Sequence, residues 1–403
     1  MSPFTLCCSI RLERSSASSV PLQCFSFASP GVHRKQFKRI FFSLPQRLTD
    51  VLVGATLNMK NPVIKRIIWI LIFAVIFYTA IVIWSDARKN LETFRQFPWH
   101  RLPLILGAVL VNFLVRELKW EYFRRVARID VPRLGSFLVF FSGFSMCISP
   151  GRIGELIKPF MLKEYFGQKM RRTVPLVFCE RISDLLGMIV LAIATMGSFM
   201  AGVTRGQIDG HWFTSNFIYG FLAFSAIFMV ALIWVIHQKR WFYGLLRSLG
   251  RIRRFQGAVH RLRKLYFMTY PLLTPRNLII TTAMATFSWS FECLALYLIL
   301  QGTGATQITL GQAAFIFCMA TIFGGFLFFL PGGIGGFETT LALMLMLLSV
   351  PKHQAVPAIF LIRFCTLFFS VALGFLFILV TTARFHKSIA WEAFEKANAE
   401  EGT

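Results

Sequence analysis

The chain has 403 residues, 56% of them apolar, and carries 43 Lys and Arg against 18 Asp and Glu, a formal net charge of +25; its mean hydropathy is +0.62. Soluble domains are about 45–50% apolar, and here the apolar residues gather in runs close to the roughly 20 residues that cross a bilayer, without the ~10-residue alternating segments of a β-barrel. The positive charge lies in the loops between those runs, where anionic headgroups and the positive-inside rule account for it, so nucleic acid is not an expected partner.

These features predict an all-α polytopic membrane protein of about six full spans and two re-entrant helical hairpins, related as inverted repeats. Residues 1–58 stand apart from it. They contain only two acids, Glu13 and Asp50. They read either as a targeting extension or as an over-extended translation, with MKNPVIKR at Met59 resembling a natural start. The membrane domain is expected over 59–384, in halves of about 63–200 and 213–384, with a tail at 385–403.

The first span is expected at 67–84. Lys60, Lys65 and Arg66 before it place the N-terminus on the cytoplasmic side. A short second span at about 102–115 is expected to end in RELKWEYFRRVAR, read as a basic cytoplasmic loop. Residues 134–149 then re-enter and stop at PGRIGE, and 153–166 leads back to GQKMRRT, forming a hairpin.

Residues 174–200 cross outward and 213–236 return. The loop after them carries ten Lys and Arg and no acid as far as residue 277, and is therefore cytoplasmic. Its stretch RSLGRIRRFQGAVHRLRKLY is expected to lie on the anionic leaflet. Residues 278–300 cross again. Residues 310–330 enter, meet PGGIGGFE, and 339–349 lead back as a second hairpin opening to the opposite face. Residues 355–383 cross to a cytoplasmic C-terminus. The location expected from the loop charges is a cytoplasmic membrane, with both termini on its cytoplasmic side.

The word Pro-Gly-x-Ile-Gly thus occurs in both halves, each time followed closely by a glutamate. Each half makes an odd number of crossings, which inverts the second. Interrupted helices in corresponding places of inverted halves are the best sequence pointer to a transporter's binding site. The arginines agree: Arg181 follows Pro150 by 31 residues and Arg363 follows Pro331 by 32.

Within membrane segments, the sequence places Arg152, Lys158, Arg181 and Arg363 against Glu155, Glu180, Asp184, Glu292 and Glu338. A charge at a helix centre costs about 2.5–3.5 kcal/mol on insertion scales, so such residues face a bundle interior or a water-filled path. Pro150 breaks its helix, while Gly151 and Gly154 permit a tight turn. Arg152, Glu155, Lys158 and the N–H groups of the new helix make this corner the expected seat of a headgroup phosphate. The alternative is a hairpin tip in which Arg152 and Glu155 neutralise one another.

In ERISD, Arg181 and Asp184 are i,i+3 neighbours that can pair. Glu180 and Asp184 would repel unless one holds a proton or a base from another segment sits between them. Gly332, Gly333, Gly335 and Gly336 make a closely packed second tip. Glu338 there either meets a headgroup or complements its helix dipole. Glu292 has Arg363 or Arg181 as possible partners. With Glu180, Arg181 and Asp184, these residues form the expected polar path. No metal or cofactor site is read, and the eight cysteines show no CxxC.

SPGRIGELIKPFML, CERISDLLG, LPGGIGGFE and the late Arg363 together resemble the lysylphosphatidylglycerol synthase transmembrane, flippase-like (UPF0104) family, over roughly 63–384. The resemblance implies a bacterial or archaeal membrane protein that handles phospholipids or polyprenyl-linked lipids. In multiple-peptide-resistance-factor relatives this region is linked to flipping aminoacylated phosphatidylglycerol, and a separate C-terminal domain transfers the amino acid. This chain ends about 20 residues after its last expected span, without that domain, so the resemblance implies no enzyme. Two readings stay open: a lipid translocase, or a non-transporting partner of a lipid-modifying enzyme, with an oligomer compatible with either.

Overall fold

The computed structural model describes residues 87–149, 153–205, 211–238, 247, 263, 266–327 and 332–385. All of them lie in one compact unit, Pro62–Thr403. Among the described residues there are eleven α-helices and no strand: α1 Ala87–Gln96, α2 Leu102–Val126, α3 Arg133–Ser142, α4 Ile157–Phe166, α5 Met170–Arg205, α6 His211–His237, α7 Pro275–Gly302, α8 Leu310–Phe326, α9 Gly336–Leu347, α10 Lys352–Arg363 and α11 Phe369–Phe385. The first expected span, residues 1–58, the tail and most of the basic loop lie outside the described residues.

Helix ends follow local chemistry. Thr309 and Gln312 form a reciprocal capping box that starts α8. Pro275 occupies the first position of α7, where its missing N–H has no partner to lose. Gly167 closes α4 with φ of 66°.

The remaining five expected spans are present as long helical stretches: α2, α5, α6, α7 and Lys352–Phe385. Met170–Val203, Pro275–Gly302 and Lys352–Phe385 are long and apolar enough to cross a membrane by composition alone. The last comprises α10 and α11 joined by a π-turn at Phe364–Phe368, immediately after Arg363. The outward faces are oily, with Leu104, Leu114, Leu118, Ile193, Ile227, Val230, Ile279 and Leu376 exposed. Charges such as Lys119, Lys158 and Glu180 are buried. That inversion of the soluble pattern is what a lipid solvent selects.

The second span is longer than expected. α2 continues unbroken for 25 residues through RELKWEYFRRV, so Arg116 and Lys119 are interior residues and not part of a cytoplasmic loop. The reason is spacing. Asn112, Arg116, Lys119 and Phe123 share the buried face, while Leu110, Leu114 and Leu118 share the exposed one.

Two hairpins interrupt the bundle. In the first, α3 passes through a 3₁₀ turn at Gly143–Met146, and the chain returns through Ile153–Leu156 into α4, which packs on α3. In the second, α8 packs on α9. The long helices show how the hairpins are oriented. α5 begins three residues beyond the base of the first hairpin. About 42 Å further along, at 1.5 Å per residue, Ser198 accepts a hydrogen bond from Gln312 at the base of the second. Lys352–Phe385 runs the other way: it starts near the base of the second hairpin and ends with Phe385 packed on Tyr165 and Phe166 at the base of the first. The hairpins therefore enter from opposite ends, and their tips meet midway, where Cys147 and Ile148 pack with Ile334 and Leu367.

Candidate functional site

Behind those tips lies a charged cluster. Glu180, fully buried on α5, is 3.0 Å from Lys158 of α4, 3.3 Å from Arg116 of α2 and 3.0 Å from Arg181. Asp184, one turn on, pairs with Lys119 and lies 3.7 Å from Arg116 and 3.5 Å from Arg181. Trp289 of α7 also donates its indole N–H to Asp184. The expected Glu180–Asp184 repulsion is thus relieved by bases from other segments, with Arg116 reaching both acids.

Lys158 is also enclosed by aromatic faces, its ammonium 4.5 Å from the Phe140 ring centre and 5.2 Å from that of Trp120. Such contacts are worth about 2 kcal/mol or more when desolvated. Lys158 is therefore committed to the packing of α4 and is not held out toward a headgroup. Pro150, Gly151 and Arg152 lie outside the described residues. At the same corner Gly154 donates its N–H to Ser149 Oγ at 2.7 Å, which takes up one of the N–H groups expected to be free for an anion. A Cβ at Gly154 would press into Met146, so the corner requires glycine.

The two glutamates of the repeated word do the same thing. Glu155 pairs with Arg181 at 3.1 Å. Glu338 pairs with Arg363 at 2.6 Å. Each arginine lies roughly eleven residues, about 16 Å, into the long helix that follows its hairpin. The surroundings differ. Glu338 takes the Gly335 N–H on its second oxygen at 2.7 Å. Arg363 also donates to the Gly332 and Gly333 carbonyls and lies over the Phe337 ring. That turn needs Gly332, Gly333 and Gly335, with φ of 60°, 67° and 98°, all in the region that favours glycine. Gly336 packs against Leu327 and Gly324.

Between the pairs is a cavity of about 70 Å³, room for about two waters at ~30 Å³ each. Arg116, Glu155, Glu292 and Arg363 supply its charges, and Phe113, Phe144, Trp289 and Phe337 supply apolar wall. Glu292 shares this wall with Arg363, while Arg363 gives its ion pair to Glu338, and Arg181 pairs with Glu155, Glu180 and Asp184. The Nε atoms of Arg116 and Arg181 have no hydrogen-bond partner. Sequence reasoning missed Arg116 and Lys119. The signal was available: with Asn112 they recur at helical spacing on the face opposite the α2 leucines. No cluster of His, Cys, Asp or Glu suited to a metal occurs among the described residues.

The fold and centre define a class: an all-helical polytopic membrane protein whose two oppositely entering hairpins meet at buried, paired charges. The model of the lysylphosphatidylglycerol synthase TM region matches residues 69–374, and the chain belongs to that family. It is also similar to two UPF0104 membrane proteins of the archaeon Methanothermobacter thermautotrophicus. One is 24% identical over 253 residues, covering 58% of this chain and 72% of the relative. The other is 23% identical over 327 residues, covering 75% and 90%.

Proposed function

We propose that the protein moves a phosphate-bearing lipid across a cytoplasmic membrane, its headgroup passing through the central cavity while its acyl chains stay in lipid. The carrying observation is the meeting of two oppositely entering hairpins at one charged cavity, the arrangement of inverted-repeat transporters. Arg116 and Arg363, both lining the cavity, receive the phosphate as charge-assisted donors. Glu155 and Glu292 receive polar or amine groups of the headgroup. At about 70 Å³ the cavity is smaller than a phosphoglycerol headgroup, so the described conformation is closed. The reading assigns no covalent chemistry, and places both termini on the cytoplasmic side.

The test is translocation of a fluorescent anionic phospholipid in proteoliposomes. Arg116→Gln and Arg363→Gln are expected to reduce the rate at least tenfold, with membrane insertion and the monodisperse elution profile retained. Wild-type rates in both would overturn the reading. A second reading, a lipid-binding partner of a lipid-modifying enzyme, is favoured by a separate apolar groove of about 760 Å³ between α5 and α7, lined by Leu186, Val190, Ile279 and Phe287. Lipid retained on purified protein that translocates none, with an enzyme copurifying, would select it.

A further inference from the structure

α5 and α7 touch through small residues. A Cβ at Gly187 would fall 2.7 Å from that of Ala285, and small residues are what let membrane helices approach backbone to backbone. Larger side chains rise beside that contact. Leu186 and Val190 of α5 and Ile279 and Phe287 of α7 wall a groove of about 760 Å³, and the small Ala283 leaves space between the last two. The groove opens to the lipid-facing side, where Ile279 is 70% exposed. Its hydroxyls do not make it polar. Thr286 donates to the Thr282 carbonyl at 3.0 Å and Ser290 to that of Phe287 at 2.7 Å, so both are spent within α7. Asp184 and Trp289 of the charged centre, bonded to each other, are on the buried side of the same two helices.

The length and the charge of this face indicate its occupant. From Ile279 to Ser290 the groove follows α7 for about 16 Å, one leaflet of a hydrocarbon core roughly 30 Å thick. Arg276 stands one turn before Ile279, on the same helical face, and is exposed. It closes the stretch 237–277, which carries ten Lys and Arg and no acid. Basic segments of this kind draw anionic lipid. Tyr266 and Tyr270 shortly precede α7, and Tyr122 donates its hydroxyl to Asn277 at 2.7 Å; tyrosines mark the headgroup level. We propose that the groove is a second lipid site. It seats one acyl chain of an anionic glycerophospholipid from the leaflet at that end of α7, with the phosphate on Arg276. The site takes only the class of lipid from the transport reading, and stands whether or not the central cavity moves any. A helix of a second copy is the competing occupant, and it brings no phosphate for Arg276.

The experiment is photolabelling of the full-length protein in phosphatidylcholine vesicles by phosphatidylglycerol with a diazirine on one acyl chain, read by peptide mass spectrometry. Labelling within 186–190 and 279–290 is expected to exceed that of the oily α2 face of Leu110, Leu114 and Leu118 at least fivefold. Ala283→Trp, at an exposed position, fills the groove and is expected to lower its labelling at least fivefold. Arg276→Gln is expected to lower labelling by the phosphatidylglycerol probe at least threefold. The same variant is expected to leave labelling by a diacylglycerol with the same diazirine chain within twofold.

Groove labelling no higher than that of the α2 face means ordinary annular contact and overturns the site. So does labelling that Ala283→Trp leaves unchanged. An equal loss of both probes in Arg276→Gln, or no loss of either, overturns the assignment of the phosphate. An unlabelled groove in a protein whose Ile279→Cys variant forms disulfide-linked dimers gives the face to a second copy and overturns the lipid. Groove labelling in a protein that translocates no lipid would overturn the transport reading alone, and translocation without groove labelling would overturn this site alone.

Discussion

Lys158 illustrates the constraint on a single charge in this centre. It is fully buried, 3.0 Å from Glu180, with aromatic rings around the ammonium. Removing one partner of a buried pair leaves the other uncompensated and costs about 3–5 kcal/mol, whereas removing both is often nearly neutral. Lys158→Met is therefore expected to lower the thermal midpoint of the detergent-solubilised protein steeply. Lys158→Met/Glu180→Gln should recover part of the loss, because Arg116 and Arg181 retain Asp184. A double variant as unstable as the sum of its singles, measured by a thermal-shift cycle, would show that the pair is not coupled.

Elements in this fold are seated by glycine where backbones touch. α11 crosses the 3₁₀ turn of the first hairpin at Gly374, where a Cβ would collide with the Phe144–Ser145 backbone. Gly107, in the second turn of α2, has nothing within 4 Å of such a Cβ. Gly374→Ala is expected to destabilise by about 1–3 kcal/mol through overpacking. Gly107→Ala should be neutral or stabilising by up to about 1 kcal/mol, as expected for Gly replaced by Ala within a helix. Thermal midpoints of the two variants compared with wild type decide it. Equal shifts would mean that α11 does not lie against the hairpin this closely. The π-turn at Phe364–Phe368 belongs to the same scale: it follows Arg363 directly, as such turns often do at functional positions.

At the scale of the molecule, the functional reading depends on the hairpin tips meeting. Ile148 and Ile334 belong to one small buried cluster with Cys147 and Leu367, and a Cβ at Gly332 would sit 3.3 Å from Ile148. A protein carrying Ile148→Cys and Ile334→Cys is expected to be joined by a short bifunctional thiol reagent, seen as a covalent link between the two halves after proteolysis. Retrieval of the halves unlinked would separate the tips and leave the cavity without its floor.

Much of this architecture was legible in the chain. Apolar runs of spanning length, Pro-Gly-x-Ile-Gly words in both halves and an arginine at matched distance after each are local patterns, and local patterns survive in one dimension. They determined the helical membrane class, the two interruptions and the identity of most of the charged residues. Partnership was decided only by the fold. Glu155 turned to Arg181 and Glu338 to Arg363 because two long helices running in opposite senses bring each arginine beside the tip of the hairpin before it. In sequence, Arg116 and Lys119 read as loop charges, because basic residues near the end of an apolar run usually mark a membrane surface. The tertiary structure kept them inside because α5 presents Glu180 and Asp184 at the same depth. In a low-dielectric interior a charge is tolerated where its counter-charge is, and residues more than sixty positions apart in sequence acquire that proximity only on folding.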